Sequence, residues 1–233
     1  MKSNNVIIAF EGLDNSFKET NHISFLNMLK YMRFGDYYKI HSESFPRYGH
    51  WSAKGLEKWL DGSIDRTMLK SHTKAINSLY SIDRLSYWYE SDENGYRNID
   101  FLNDKDKFHY FVFDRYNLSN TIYNPIHPGE VNIEDFTFDH DVYGIPNPNV
   151  IIWMRMRNFD VLADLISKKK NRDMNELEID FLKDKWDRSE QIISSSIFDQ
   201  LGIKLIVVDC LNDDDTIKSK TDISNYIWKS VGL

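Results

Sequence analysis

Four stretches of the chain are apolar without interruption: Val6–Phe10, Tyr110–Phe113, Val150–Met154 and Leu205–Val208. Each has the length of a strand. A run that is apolar at both odd and even positions leaves no face for water, which suits parallel strands buried between helix layers. Tyr37–Phe45 is a weaker fifth candidate. Between these runs the apolar spacing lengthens to a helical period, over roughly 18–34, 52–60, 66–90, 116–124, 159–169, 176–196 and 221–231. Strand–helix alternation of this kind predicts an α/β fold with a parallel sheet. Ser91–Lys107 reads as a polar surface connection with a short helix inside. Asn124–Pro148, with prolines at 125, 128, 146 and 148, reads as an irregular but packed loop. Asn212–Asp215 is an acidic turn before the last helix. No repeat or composition shift marks a boundary, so residues 1–233 are expected to form one domain.

Composition narrows the classes. Apolar residues make up 41% and charged residues 28%, values of a folded globular chain. No apolar run approaches the ~20 residues of a membrane span. Met1–Asn5 leads straight into a strand-like run, which leaves no room for a secretory leader. The net charge of −7 disfavours bulk binding to nucleic acid while leaving room for a local anion pocket. The single cysteine, Cys210, excludes an intramolecular disulfide and fits a reducing cytoplasm; it reads as packing. The seven histidines (22, 41, 50, 72, 109, 127 and 140) show no metal-ligand spacing, and no Ser-His-Asp arrangement is apparent. The 6 Trp, 13 Tyr and 14 Phe either fill a core or stack on bases.

The segment richest in candidate chemistry is Phe10-Glu11-Gly12-Leu13-Asp14-Asn15-Ser16-Phe17-Lys18-Glu19-Thr20, between a strand and a helix. A phosphate-binding loop in that context reads G-x-x-x-x-G-K-[ST]. Gly12 and Lys18 have the required spacing, while Phe17 replaces the second glycine and Glu19 the Ser/Thr. Backbone N–H groups at a helix start attract phosphate, and Lys18 adds a point charge. Phe17 adds bulk where a glycine allows close approach. Glu19 stabilises the first helical turn by ~0.3–1 kcal/mol. It would repel a triphosphate 4 Å away by as much as ~4 kcal/mol at intermediate dielectric. A bridging magnesium ion reverses that sign. An ordinary strand–turn–helix connection is the plain alternative.

Three further segments, taken with this loop, resemble the thymidylate kinase family. Phe45-Pro46-Arg47 looks like its F-P-x-R element, with the arginine one place early. Leu79-Tyr80-Ser81-Ile82-Asp83-Arg84 looks like its helical aromatic-x-x-x-Arg segment. Phe113-Asp114-Arg115-Tyr116-Asn117-Leu118-Ser119 carries its D-R-Y-x-x-S signature after a strand. Gly144-Ile145-Pro146-Asn147-Pro148-Asn149 then resembles the G-L-P-x-P-D approach to the next strand. Order and spacing agree over roughly residues 5–210. The resemblance implies a P-loop nucleoside-monophosphate kinase fold with a five-stranded parallel sheet flanked by helices. Gly12–Lys18, Phe45–Arg47 and Asp114–Arg115 all fall at strand carboxyl ends, where such sheets bind ligands.

The resemblance also implies roles. Gly12, Asn15, Ser16, Phe17, Lys18, Glu19 and Thr20 would surround the ATP phosphates. Asp14 would contact the nucleotide 3′-hydroxyl, Tyr80 would stack on thymine, and Arg84 would bond the base edge. Tyr80 and Arg84 stand at i and i+4 on one helix and so share a face. Arg47 and Arg115 are candidates for the monophosphate, with Phe45 and Tyr116 lining the same dTMP site. Asp114 would be the magnesium-side carboxylate, although a strand-end Asp is otherwise often a cap. A lid around 160–175, including Lys168-Lys169-Lys170-Asn171-Arg172, would bring positive charge over ATP, with Arg172 the favoured catalytic residue beside Lys18, Asp114 and Arg115. The expected reaction is phosphoryl transfer from Mg–ATP to dTMP, giving dTDP, in a cytoplasmic homodimer. Two rivals keep the fold: a dTMP-binding protein with impaired catalysis, and a kinase for another pyrimidine nucleotide. The Asn-rich usage and altered loop point to a viral source.

Overall fold

The computed structural model describes residues 5–33, 35–64, 73–169 and 179–232. Five strands form one parallel sheet: β1 (Asn5–Gly12), β2 (Tyr38–Ser44), β3 (Phe108–Asp114), β4 (Val150–Arg155) and β5 (Lys204–Asp209), in the order β2-β3-β1-β4-β5. The helices are α1 (Lys18–Met32), α2 (Lys54–Leu60), α3 (Thr73–Tyr89), α4 (Asn117–Tyr123), α5 (Ile133–Tyr143), α6 (Phe159–Ser167), α7 (Ile179–Ile193), α8 (Ile197–Gln200) and α9 (Lys220–Val231). The α/β class and the five-stranded parallel sheet are as expected. None of the helices among the described residues is long and apolar enough to cross a membrane.

Burial explains which strands were easy to see. Ile7–Phe10, Tyr110–Phe113 and Val150–Met154 are buried throughout, because β1, β3 and β4 are the three inner strands. The edge strand β2 is half-exposed along its length, which is why Tyr37–Phe45 gave a weak apolar signal. Many of the aromatics fill core. Trp88, Phe111, Phe113, Tyr116, Phe45 and Tyr87 form one continuous group of ring contacts, with centroids 4.9–5.9 Å apart between neighbours.

One expectation is corrected here. Asn124–Pro148 is not loop throughout, because Ile133–Tyr143 is helical. The Asn132 side chain caps its first turn by accepting from Glu134 N–H, and Gly144 ends it at φ 69°. The prolines flank this helix without interrupting it. Its anchor is buried. Asp135 receives Arg188 Nη2 from α7 at 2.8 Å and the backbone N–H groups of Ile126 and His127 at 3.0 Å. Arg188 also donates to Thr121 O, at the last turn of α4. Three helices therefore meet on one buried ion pair.

Removing one partner of such a pair strands the other charge. Asp135→Ala is expected to lower the unfolding free energy by about 3–5 kcal/mol, read from the urea midpoint. A loss below about 1 kcal/mol would place this pair with ordinary surface bridges.

Candidate functional site

The carboxyl ends of the inner strands form the site's floor. Register pairs Phe10 and Ser44 with Asp114, and Gly12 with Met154, so these ends lie side by side. The turn after β1 requires glycine at its first position. Gly12 has φ 150°, and a Cβ there would lie 2.6 Å from Ser16 Oγ and 2.7 Å from Met154 O. The Leu13 carbonyl then collects the loop. It accepts from Ser16 N at 3.3 Å, Ser16 Oγ at 2.7 Å and Lys18 Nζ at 2.7 Å.

Phe17 occupies the place of the second glycine and adopts the conformation that a glycine would. Its φ and ψ are 63° and 20°, in the left-handed region, as N-cap of α1. Such a conformation costs an ordinary residue about 1–2 kcal/mol. The Phe17 ring is half-buried against the core, which offsets the strain. Asn15 is also left-handed, at φ 59°, a region that Asn tolerates. Phe17 thus takes a backbone conformation that favours glycine, at the place where the pattern has glycine. Glu19 and Thr20 in the first turn of α1 are exposed.

Lys18 is buried, and burial pulls its ammonium down to about 8. Arg115 pushes it the same way, while Asp14, Asp114 and Glu11 partly restore the charge. Facing it, Arg115 at the end of β3 is left-handed at φ 62° and forms an ion pair with Asp14. Tyr123 donates to the other Asp14 oxygen at 3.2 Å. Burial works to raise the Asp14 carboxyl, but Arg115 and Lys18 overcome it and hold the group below its ordinary value. Lys169, after α6, adds positive charge to the same carboxylate. Asp114 stands beside them with Oδ1 buried and without a hydrogen-bond partner. Tyr80 of α3 is half-buried and faces this crevice. Burial raises its phenol, and the charges of Arg115, Arg84 and Asp14 act on it.

Four expected nucleotide contacts are engaged inside the protein. Arg47 gives its Nε to Asp83 at 3.1 Å and its Nη2 to Ser52, Ser86 and the Asp83 carbonyl. Arg84 is 1% exposed and gives its Nε to Asp139 at 2.5 Å and its Nη1 to the Tyr116 carbonyl at 3.3 Å; its Nη2 is buried without a partner. Phe45 is buried between Tyr87, Phe113 and Tyr116. Tyr116 is buried, donating to Pro146 O at 2.9 Å and accepting from Trp88 Nε1 at 2.7 Å. Phe45, Arg84 and Tyr116 are buried, while Arg47 is half-buried. Lys170, Asn171 and Arg172 lie outside the described residues.

Sequence reasoning missed Glu11, Tyr123, Asp83 and Asp139. Glu11 alone had a local signal, a carboxylate in an otherwise apolar strand, which burial makes costly unless it is bonded.

Lys18 sets a stability signature. Its folded value of about 8 lies below the ordinary ~10.4. As pH rises from about 8 to about 10.4 the unfolded chain still holds the proton, so this group makes stability rise. The advantage of Lys18→Met over the parent protein is therefore expected to shrink by about 3 kcal/mol between about pH 7 and 10.5. Parallel stability curves for the two proteins would show that Lys18 is not desolvated.

No protein-family model and no curated protein matches the sequence. Solved structures do. The thymidylate kinase from Candida albicans aligns with a TM-score of 0.59 at 18% identity, over 99% of this chain and 92% of that one. The thymidylate kinase from Ehrlichia chaffeensis aligns with a TM-score of 0.62 at 13% identity, over 97% and 98%. The chain therefore shares the fold of these thymidylate kinase structures over nearly its whole length.

Proposed function

We propose that this chain transfers the γ-phosphoryl group of ATP to dTMP, giving dTDP and ADP. The observation that carries the reading is the gathering of Lys18, Asp114 and the Asp14–Arg115 pair at the carboxyl ends of β1 and β3. The likeness of the fold to thymidylate kinases supports it.

On the donor side, the N–H groups of the Gly12–Lys18 turn and of the start of α1 attract the phosphates. Lys18 leaves the Leu13 carbonyl to meet them. Asn15, Phe17, Glu19 and Thr20 contribute backbone, while the buried Ser16 hydroxyl braces the loop. Glu19 is exposed, free to turn its carboxylate toward solvent and away from the phosphates. On the acceptor side, Arg115 grips the monophosphate, Asp14 takes the 3′-hydroxyl, and Tyr80 stacks on the base. The acceptor is a phosphate oxygen, already anionic near neutral pH, so no strong general base is needed. Rate comes from positioning and charge neutralisation, with water excluded when the segment after α6 closes. Lys169 belongs to that segment, and Arg172 is its proposed catalytic cation.

Asp114 fits magnesium. Its Oδ1 is a buried acceptor without a partner, and Mg²⁺ is commonly held by one or two carboxylates plus substrate phosphates. Bound there, the ion would neutralise phosphate charge. The reading carries with it a cytoplasmic enzyme and a homodimer. Exposed Trp51, Ile82 and Tyr89 supply apolar surface for that contact, and light scattering at a monomer mass would refute the dimer.

The test is ADP formation from Mg–ATP with and without dTMP. Turnover is expected to need dTMP and to fall by about 10²-fold or more in Lys18→Ala, the usual loss of one preorganised charge contact. Absence of turnover, with dTMP still raising the Tm, would leave a thymidylate-binding protein and remove the kinase.

A further inference from the structure

Glu11 is the only ionisable side chain of β1, and it is fully buried. Burial raises its carboxyl above the ordinary value, against the pull of its hydrogen bonds and of Arg115. A charge so placed persists only when it is well bonded. Oε1 accepts from the backbone N–H groups of Tyr116 at 2.8 Å, Leu118 at 3.1 Å and Ser119 at 3.3 Å. Oε2 accepts from Ser119 Oγ at 2.5 Å. One carboxylate thus caps the start of α4 from a neighbouring strand.

These bonds surround a strained turn. Arg115 is left-handed, at φ 62°. Strained backbone persists where its surroundings over-determine it. Arg115 N–H is tied to Phe10 O at 2.8 Å and Tyr116 N–H to Glu11, so both flanks of the turn are fastened to β1. The same network reaches the guanidinium. Ser119 Oγ gives its proton to Glu11 and accepts from Arg115 Nη1 at 3.3 Å, while Arg115 Nη2 goes to Asp14.

We propose that Glu11 is a positioning residue for phosphoryl transfer. Its carboxylate orients the Ser119 hydroxyl and the Arg115 turn so that the guanidinium stays aimed across the crevice. The proposal rests on the reading above, in which Arg115 meets the acceptor phosphate. Two functions of Glu11 separate chemically. In Glu11→Gln the amide oxygen still accepts the three N–H groups, so the helix cap survives. The amide nitrogen cannot accept from Ser119, so the hydroxyl loses its orientation and Arg115 its support.

The experiment compares Glu11→Gln, Ser119→Ala, Ser119→Thr and the double variant that combines Glu11→Gln with Ser119→Ala. Glu11→Gln and Ser119→Ala are each expected to raise KM for dTMP about tenfold, leaving KM for ATP and the Tm near the parent values. Ser119→Thr, which keeps the hydroxyl, restores the parent KM, and the double variant is no worse than either single one. A parent-like KM in both single variants, or a loss of Tm alone, would overturn the proposal. The Arg115 Nε–H resonance, recorded without nucleotide, separates this from the kinase reading. If the parent protein fails to turn over dTMP, the kinase reading falls. The role of Glu11 is then judged by whether that resonance moves in Glu11→Gln and Ser119→Ala and returns in Ser119→Thr. An unmoved resonance rejects it.

Discussion

Everything in this fold depends on β1 being covered on every side. It pairs with β3 and β4 along both edges and is packed by helices on both faces. Its neighbours β3 and β4 run parallel to it, an arrangement that needs crossover connections and goes with a sheet covered on both faces. The strand ends then face one way. Gly12, Asp114 and Met154 come to a common rim without any interaction between them having to arrange it. The candidate site side chains stand on that rim, and the one carboxylate inside the strand joins rim to core.

How much of this was readable from the residues depended on whether the deciding partner was local. The inner strands were plain, since their burial shows at every position. The Gly12–Lys18 turn was plain as a strand-to-helix connection, although its letters fit the phosphate-loop pattern imperfectly. Phe17 explains why. The pattern names glycine because glycine reaches a left-handed turn without strain, and Phe17 makes the same turn with its ring held by packing. The helix Ile133–Tyr143 was hidden by prolines on either side, despite an Asn132 cap and a Gly144 stop that satisfy ordinary helix rules.

The arginines were the hardest to read. Arg47 and Arg84 stand where a nucleotide contact was expected, yet their carboxylates lie far along the chain: Asp83 is 36 residues from Arg47, and Asp139 is 55 from Arg84. A motif supplies the cation and says nothing of an anion folded against it. Arg115 differs in degree. Its Asp14 partner lies in the loop that the motif itself names, so their meeting joins two recognisable segments.

That pairing has a consequence for how any anion is received. The cations of the crevice already have partners, Arg115 the Asp14 carboxylate and Lys18 the Leu13 carbonyl. A phosphate arriving there would exchange one set of contacts for another, and part of the gross attraction would cancel. A crevice with unmatched cations would hold a product as firmly as a substrate. Here each cation already has a partner within the protein, to which it would return when a ligand left.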